Sequence, residues 1–217
     1  GYHWHPRPVP GSQQTFCHQA CTGQDLADVA PDRLNRLFSD LLASQQKSSS
    51  STPPIHLWNP TACGDIDIFI DREGRWFHEG GEIKRPQLVR LFASILLREG
   101  DDYFLITPVE KCRIQVAVAP LFVISASRET REGIQAVSMA TSTGDTVVVD
   151  REHPLFMGQD RDGQSEQLYP QVMVRNHIPA LISRPVYYQL IDWAIEESGA
   201  ELDKVFLSSM GEQFPLG

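Results

Sequence analysis

The sequence predicts an α+β fold made of a duplicated strand-helix-strand unit: two small subdomains of mixed or antiparallel sheet, preceded by a segment that carries one helix. Three observations predict it. Short β-branched and aromatic runs alternate with turn residues along most of the chain. Two longer apolar runs have helical spacing, and each opens on an Arg-Pro step. The order of glycine turn, strand, helix start and strand occurs twice, with some of the same letters.

Residues 1–52 read as a separate N-terminal segment. Up to about residue 24 it is rich in Pro, His, Gln and Gly and poor in aliphatics, a composition that does not order itself. From Pro31, the positions Leu34, Leu37, Phe38, Leu41 and Leu42 fall at helical spacing, which predicts a short helix over about 32–44. Gln45, Gln46, Lys47 and the serines from Ser48 to Ser51 follow as a flexible linker.

The first repeat spans 53–127. Ile66, Ile68 and Ile70 alternate with Asp67 and Phe69, Asp71-Arg72-Glu73-Gly74 supplies a turn, and Arg75 to His78 resumes in extended form, so this stretch predicts a β-hairpin. Pro86 then sits where a first helical turn tolerates a missing N–H. Leu88, Val89, Leu91, Phe92, Ile95 and Leu96 recur at helical spacing until Gly100. Tyr103 to Thr107, Val109 to Val118 and Leu121 to Ser125 read as strands.

The second repeat spans 128–217. Thr61-Ala62-Cys63-Gly64-Asp65 is echoed by Thr141-Ser142-Thr143-Gly144-Asp145, and the strand end Asp71-Arg72-Glu73 by Asp150-Arg151-Glu152. Lys84-Arg85-Pro86 is matched by Ser183-Arg184-Pro185, Leu91 by Leu190, Gly100 by Gly199, and Phe104-Leu105 by Phe206-Leu207. Convergent turn chemistry accounts for single pairs, since Gly-Asp suits turns and Pro suits first helical turns; the shared order favours duplication. Duplication predicts that the halves superpose with their helices in equivalent places and leave an interface suited to a ligand.

Charge narrows the partners. Lys and Arg number 19 against 28 Asp and Glu, a formal net charge of -9 with a pI near 5.2. That field repels a nucleic-acid polymer, but converging Arg or Lys side chains can still hold a nucleotide-sized anion. No stretch approaches the roughly 20 apolar residues of a membrane span. The N-terminus from Gly1 to Gly11 lacks the pattern of a signal peptide, and Cys17, Cys21, Cys63 and Cys112 have no disulfide-framework spacing. A cytoplasmic location without a membrane partner is the expectation.

Several groups carry chemistry-bearing side chains. Asp65, Asp67 and Asp71 lie at alternate or turn positions and fit backbone capping better than a cation site, because the offsets of a calcium loop are missing. His3, His5, Cys17, His18 and Cys21 are metal-capable types without the spacing of a zinc module. Trp76-Phe77-His78-Glu79-Gly80-Gly81 puts a titratable ring and a carboxylate beside glycines that admit a ligand to the backbone, although neighbours on a strand face opposite ways. Thr107-Pro108-Val109-Glu110-Lys111 breaks two apolar strands with an ion-capable pair, and Arg85 and Arg184 each precede a helix-opening proline where an anion could bind. A nucleophile elbow, a phosphate loop, a dinucleotide fingerprint and a His-Glu-x-x-His helix are missing, so no reaction is named and no cofactor or metal is assigned.

The runs Pro53 to Pro60, Gly64-Asp65-Ile66-Asp67-Ile68, Gly74 to Gly80, Ile83-Lys84-Arg85, Leu88 to Phe92, Thr107 to Lys111 and Ser183 to Leu190 together resemble the bacterial family known as domain of unknown function 1285. The resemblance implies a duplicated α+β core, a C-terminal half like a pleckstrin-homology barrel, a nucleotide-type ligand at the interface of the halves, and a part in signal transduction. Among matching positions, those whose chemistry suits such an interface are Trp58, Trp76, His78, Glu79, Arg85, Thr107, Glu110, Lys111, Arg175 and Arg184. Ala117-Val118-Ala119-Pro120 departs from the acidic residues expected before that proline, and Asn176-His177-Ile178 replaces a usual glycine. The expectation is a non-enzymatic binding or sensor protein with a small anionic, nucleotide-like ligand. The alternatives are an enzyme using His78, Glu79, Glu110 and Lys111, and an interaction module working through an exposed apolar patch.

Overall fold

The computed structural model describes residues 53–131, 133–161, 166–198 and 205–216. The predicted helix over 32–44, the serine linker and the N-terminal His and Cys residues lie outside the described residues. After a single 3-10 turn at Ile55–Leu57, the first unit runs β1 Ala62–Ile70, β2 Trp76–His78, β3 Gly81–Glu82, α1 Pro86–Ser94, β4 Leu96–Glu99, β5 Asp102–Ile106 and β6 Glu110–Val116. The second runs β7 Leu121–Arg131, β8 Ile134–Thr141, β9 Thr146–Val148, β10 Leu155–Gln159, β11 Leu168–Arg175, β12 Ile178–Ile182 and α2 Arg184–Ser198, and closes on the hairpin β13 Phe206–Ser209 and β14 Glu212–Pro215.

The two units are repeats. The first six-stranded sheet has the order β3-β2-β1-β6-β5-β4, and the second, read from its other edge, β9-β8-β7-β12-β11-β10. In each, two antiparallel meanders of three strands are joined by a parallel pair between their inner strands, β1 with β6 and β7 with β12. The helices are not equivalent. In the first unit α1 connects the meanders, whereas in the second the meanders are joined by a short loop and α2 follows the sixth strand. The matched Arg-Pro steps are therefore convergent, each reflecting proline's fitness for a first helical turn.

The other letter echoes shift in the same way. Gly64-Asp65 lies within β1, while Gly144-Asp145 lies in the turn between β8 and β9, and Phe206-Leu207 belongs to the added hairpin rather than to a partner of β5. Asp71 and Asp150 share only local chemistry: each carboxylate accepts backbone N–H groups just downstream, from Glu73 and Arg75 in one case and from Glu152 and His153 in the other. In the first hairpin turn of unit two, Arg131 and Gly133 stand where Arg72 and Gly74 stand in that of unit one. Both glycines hold positive φ, +72° at Gly74 and +79° at Gly133.

Alternation in β1 buries Ile66, Ile68 and Ile70 and turns Asp65, Asp67 and Phe69 outward. In α1, Leu91, Phe92 and Ala93 face the core. The helix stops at Ser94 rather than running to Gly100, because Leu96 to Glu99 pair with β5 and Gly100 lies in the hairpin turn between them. Helical spacing across nine residues is weaker than the ladder bonds and burial available to Leu96 and Leu105. One buried cluster takes Ile68, Ile70 and Leu105 from the first sheet, Val123, Met139 and Ile178 from the second, and Leu190 and Ala194 from α2. The expected division after Ser127 falls inside β7; the chain passes between sheets over Ala117 to Pro120. There Val118 and Ala119 pack with Tyr169 and Leu181 in a smaller buried cluster. No helix among the described residues is long and apolar enough to cross a membrane.

A Cβ on Gly74 would lie 2.5 Å from Phe122 Cβ on β7, in a conformation that already disfavours L side chains. Gly74→Ala is therefore expected to lower stability by about 2–4 kcal/mol, combining strain with overpacking. Conversely, Asn176 and His177 occupy a two-residue turn with both φ positive, +44° and +61°, which suits Asn followed by Gly. His177→Gly is expected to raise stability by about 0.5–1 kcal/mol. Urea unfolding of both variants checks these values.

Candidate functional site

The ten sequence-selected positions are scattered by the fold. Trp76 is 2% exposed and stacks on Phe92 at 6.3 Å, so it belongs to the core and offers no face to a ligand. Trp58 is half-buried against the same core. Thr107 is fully buried; its hydroxyl accepts the N–H of Glu110 at 3.0 Å and of Val109 at 3.3 Å, closing the turn that Pro108 begins. His78 Nδ1 meets the Asp67 carbonyl oxygen at 2.8 Å, and Glu79 takes positive φ, +49°, in the turn that pairs His78 with Gly81. Lys111 donates to Glu99 at 2.7 Å and lies 4.8 Å from the centre of the Phe104 ring.

Arg85 and Arg184 are both exposed at helix starts. Arg85 caps α1 through its backbone, without a side-chain bond. The four groups of the enzyme alternative do not assemble. His78 pairs with Ile68 near one end of β1, while Glu110 and Lys111 pair with Ala62 and Cys63 at the other, about 15–20 Å away along the strand.

Arg175, expected to face a ligand, instead ties the units together. Its guanidinium donates to Asp145 in the β8–β9 turn and to the Ala93 carbonyl near the end of α1. Three more arginines cross the seam. Arg98 donates to the His177 carbonyl at 3.0 Å, Arg72 to buried Asp160 at 3.2 Å, and Arg161 pairs with Asp102 at 3.5 Å while lying 4.9 Å over the Tyr103 ring. With both sheets contributing to one apolar core, the seam is closed by packing and arginine contacts.

Beside the seam lies a groove of about 860 Å³ on the outward face of the first sheet. Its floor follows from alternation: Asp65 and Phe69 on β1 and Arg113 and Gln115 on β6 all point away from the core. Asp65 stands opposite Arg113 in register and Phe69 opposite Gln115, so a bulge in β1 absorbs two extra residues between these rows. One wall is the β1–β2 turn with Arg72, Glu73 and Arg75; the other is Asp102 with Arg161, which arrives from the second unit.

The groove is charged but internally paired. Arg113 Nε donates to Asp65 at 2.8 Å, Arg75 Nε to Asp71 at 2.7 Å, and Arg75 also reaches Glu73. The hydrogen bond to Asp65 raises the Arg113 pKa against slight burial, with Asp102 adding in the same direction. Arg75 is raised likewise by Asp71. These side chains can hold an anion and stack a ring on Phe69, which is 38% exposed.

None of the ten selected residues lines this groove. The missed signal was the polar alternation of Arg113 and Gln115 with buried Cys112, Ile114 and Val116, which marks β6 as a strand with a solvent face.

The fold and groove define a duplicated α+β protein with a charged surface cleft beside the junction of its repeats. The chain belongs to the DUF1285 family: the model described as Domain of unknown function (DUF1285), N-terminal domain, matches residues 53–119, and that described as Protein of unknown function (DUF1285), C-terminal domain, matches residues 120–216. The crystal structure of a DUF1285 family protein from Silicibacter pomeroyi DSS-3 is similar at 40% identity and a TM-score of 0.68, covering 81% of this chain and 93% of that one. A DUF1285 family protein from Shewanella baltica OS155 shares 28% identity over 58% of this chain and 90% of its own, with a TM-score of 0.44. No curated protein matches.

Tyr103, on the seam between Arg98 and Arg161, supplies a pH prediction. Burial raises its phenol pKa, with the two guanidiniums opposing. A raised native pKa means the native state holds the proton more tightly, so the contribution to stability is full below the ordinary tyrosine value of about 10 and is lost as pH rises through the native one. Tyr103→Phe is expected to lose less stability than wild type between about pH 9 and pH 11. Thermal melts across that range check it; parallel losses would refute it. Arg175→Ala is expected to cost about 1.5–3 kcal/mol by removing charge-assisted bonds to both units, read by urea unfolding.

Proposed function

We propose that this protein is a non-enzymatic binding or sensor module that holds a small anionic, nucleotide-like ligand in the groove between the β1–β6 face and Arg161 of the second unit. The observation that carries this reading is the convergence of Arg72, Arg75, Arg113 and Arg161, drawn from both repeats, with the exposed ring of Phe69 on one cleft. A guanidinium can exchange an exposed carboxylate partner for a phosphate at small cost, since a solvated ion pair contributes only about 0–1 kcal/mol. Because Arg161 crosses the seam, an occupant touches both repeats and can report its presence through them, which suits a sensor in signal transduction. We read the second unit as pleckstrin-homology-like on its antiparallel meanders followed by the helix Arg184–Ser198, and we place the protein in the cytoplasm.

Calorimetry against a panel of nucleotides and cyclic nucleotides tests the site. Arg113→Ala is expected to weaken binding at least tenfold while moving stability by no more than about 0.5 kcal/mol, since its partner Asp65 is exposed. Arg85→Ala and Arg184→Ala are expected to bind as wild type, both lying off the groove. Absence of binding across the panel, or an Arg113→Ala protein that binds normally, overturns this reading.

A further inference from the structure

Resting on that reading of the groove, we propose that its ligand carries a single anionic group and a hydrogen-bond-donating edge, as a guanine nucleoside monophosphate does, in preference to a polyphosphate or an adenine nucleotide. Charge balance limits the ligand to few anionic groups. Arg72, Arg75, Arg113 and Arg161 line the groove together with Asp65, Asp71, Glu73 and Asp102, so four positive groups meet four negative ones. A triphosphate spread along this surface would meet a carboxylate beside each guanidinium, and like charges at that range cancel the gain. One phosphate needs only one arginine. Arg113 is the natural holder, because Asp65 is 72% exposed along its side chain and can swing into water as the phosphate takes its place.

Arg113 and Gln115 are alternate residues of β6, so they share the outer face about 7 Å apart. The bulge in β1 brings Phe69 level with Gln115, setting an aromatic face one step from the phosphate position. A monophosphate on Arg113 therefore reaches Phe69 with its base.

The β1–β2 turn supplies the carboxylates on that side of the groove. Asp71 is committed to the turn, accepting the N–H groups of Glu73 and Arg75. Glu73, by contrast, has a side chain 67% exposed and pairs with Arg75 at the groove's rim. A carboxylate offers acceptors only, and guanine presents two adjacent donors, N1–H and the exocyclic amine, on its pairing edge. Adenine presents an acceptor at N1, which Glu73 repels. A bidentate contact of this kind discriminates by roughly tenfold to a hundredfold.

The test is calorimetry on the full chain with GMP, AMP and GTP, using wild type, Arg113→Ala and Glu73→Gln. The expected result is that GMP binds at least tenfold more tightly than AMP and more tightly than GTP. Glu73→Gln is expected to retain the wild-type melting temperature while losing most of the GMP preference, with GMP weakened and AMP relieved of the repulsion at N1. AMP equal to GMP, GTP tighter than GMP, or an unchanged preference in Glu73→Gln overturns this proposal; if Arg113→Ala still abolishes binding in that case, the groove survives as the site. Absence of binding by all of the nucleotides, or binding indifferent to Arg113→Ala, overturns the groove reading and this proposal together.

Discussion

The arrangement of this molecule depends on the seam between its repeats, and the seam depends on arginine. Arg72 and Arg98 reach from the first unit to Asp160 and the His177 carbonyl, and Arg161 and Arg175 reach back to Asp102 and the Ala93 carbonyl. A planar fork with five donors can satisfy a carbonyl and a carboxylate at once, as Arg175 does, where an ammonium would act as a point charge. These contacts orient one sheet on the other over a shared apolar core, which by itself is non-directional. The groove follows from that orientation, because its far wall is Arg161.

Duplication and divergence can be separated on physical grounds. The retained feature is the closure of each unit by a parallel pair between the first and last strands of two meanders, which leaves both inner strands flanked on each side. The helices differ in place and role: α1 connects the meanders of the first unit and packs Leu91, Phe92 and Ala93 into the core, while α2 follows the sixth strand of the second unit and packs Val186, Leu190 and Ala194 there. The first-hairpin glycines retain positive φ in both units, since the turn requires it whatever side chains surround it. At Gly74 a second constraint is added by the close approach of Phe122.

The groove is a by-product of alternation in two adjacent strands. Isoleucines at Ile66, Ile68 and Ile70 and apolar residues at Cys112, Ile114 and Val116 turn inward, so the charged and aromatic residues between them share one outward surface. A bulge then adjusts which of those residues stand opposite one another. Charged and aromatic side chains are thereby placed on rigid strands, with one arginine supplied by the other repeat.

Much of the fold was legible in the chain itself. The alternation of β1, the Asp71-to-Gly74 turn, the Pro86 and Pro185 helix starts and the strands around Tyr103, Ile114 and Val123 are local events, decided by periodicity and turn chemistry within a few residues. Matching motif runs also identified the family. The groove was not legible, because Arg113, Phe69 and Arg161 are far apart in sequence and meet only when β1 pairs with β6 and the second unit docks. The same holds for Arg175: nothing near it in sequence announces that Asp145 and the Ala93 carbonyl will be its partners. Local sequence determines which face of a strand is polar; which polar faces converge is decided by long-range pairing and by the donors left over to stitch the repeats together.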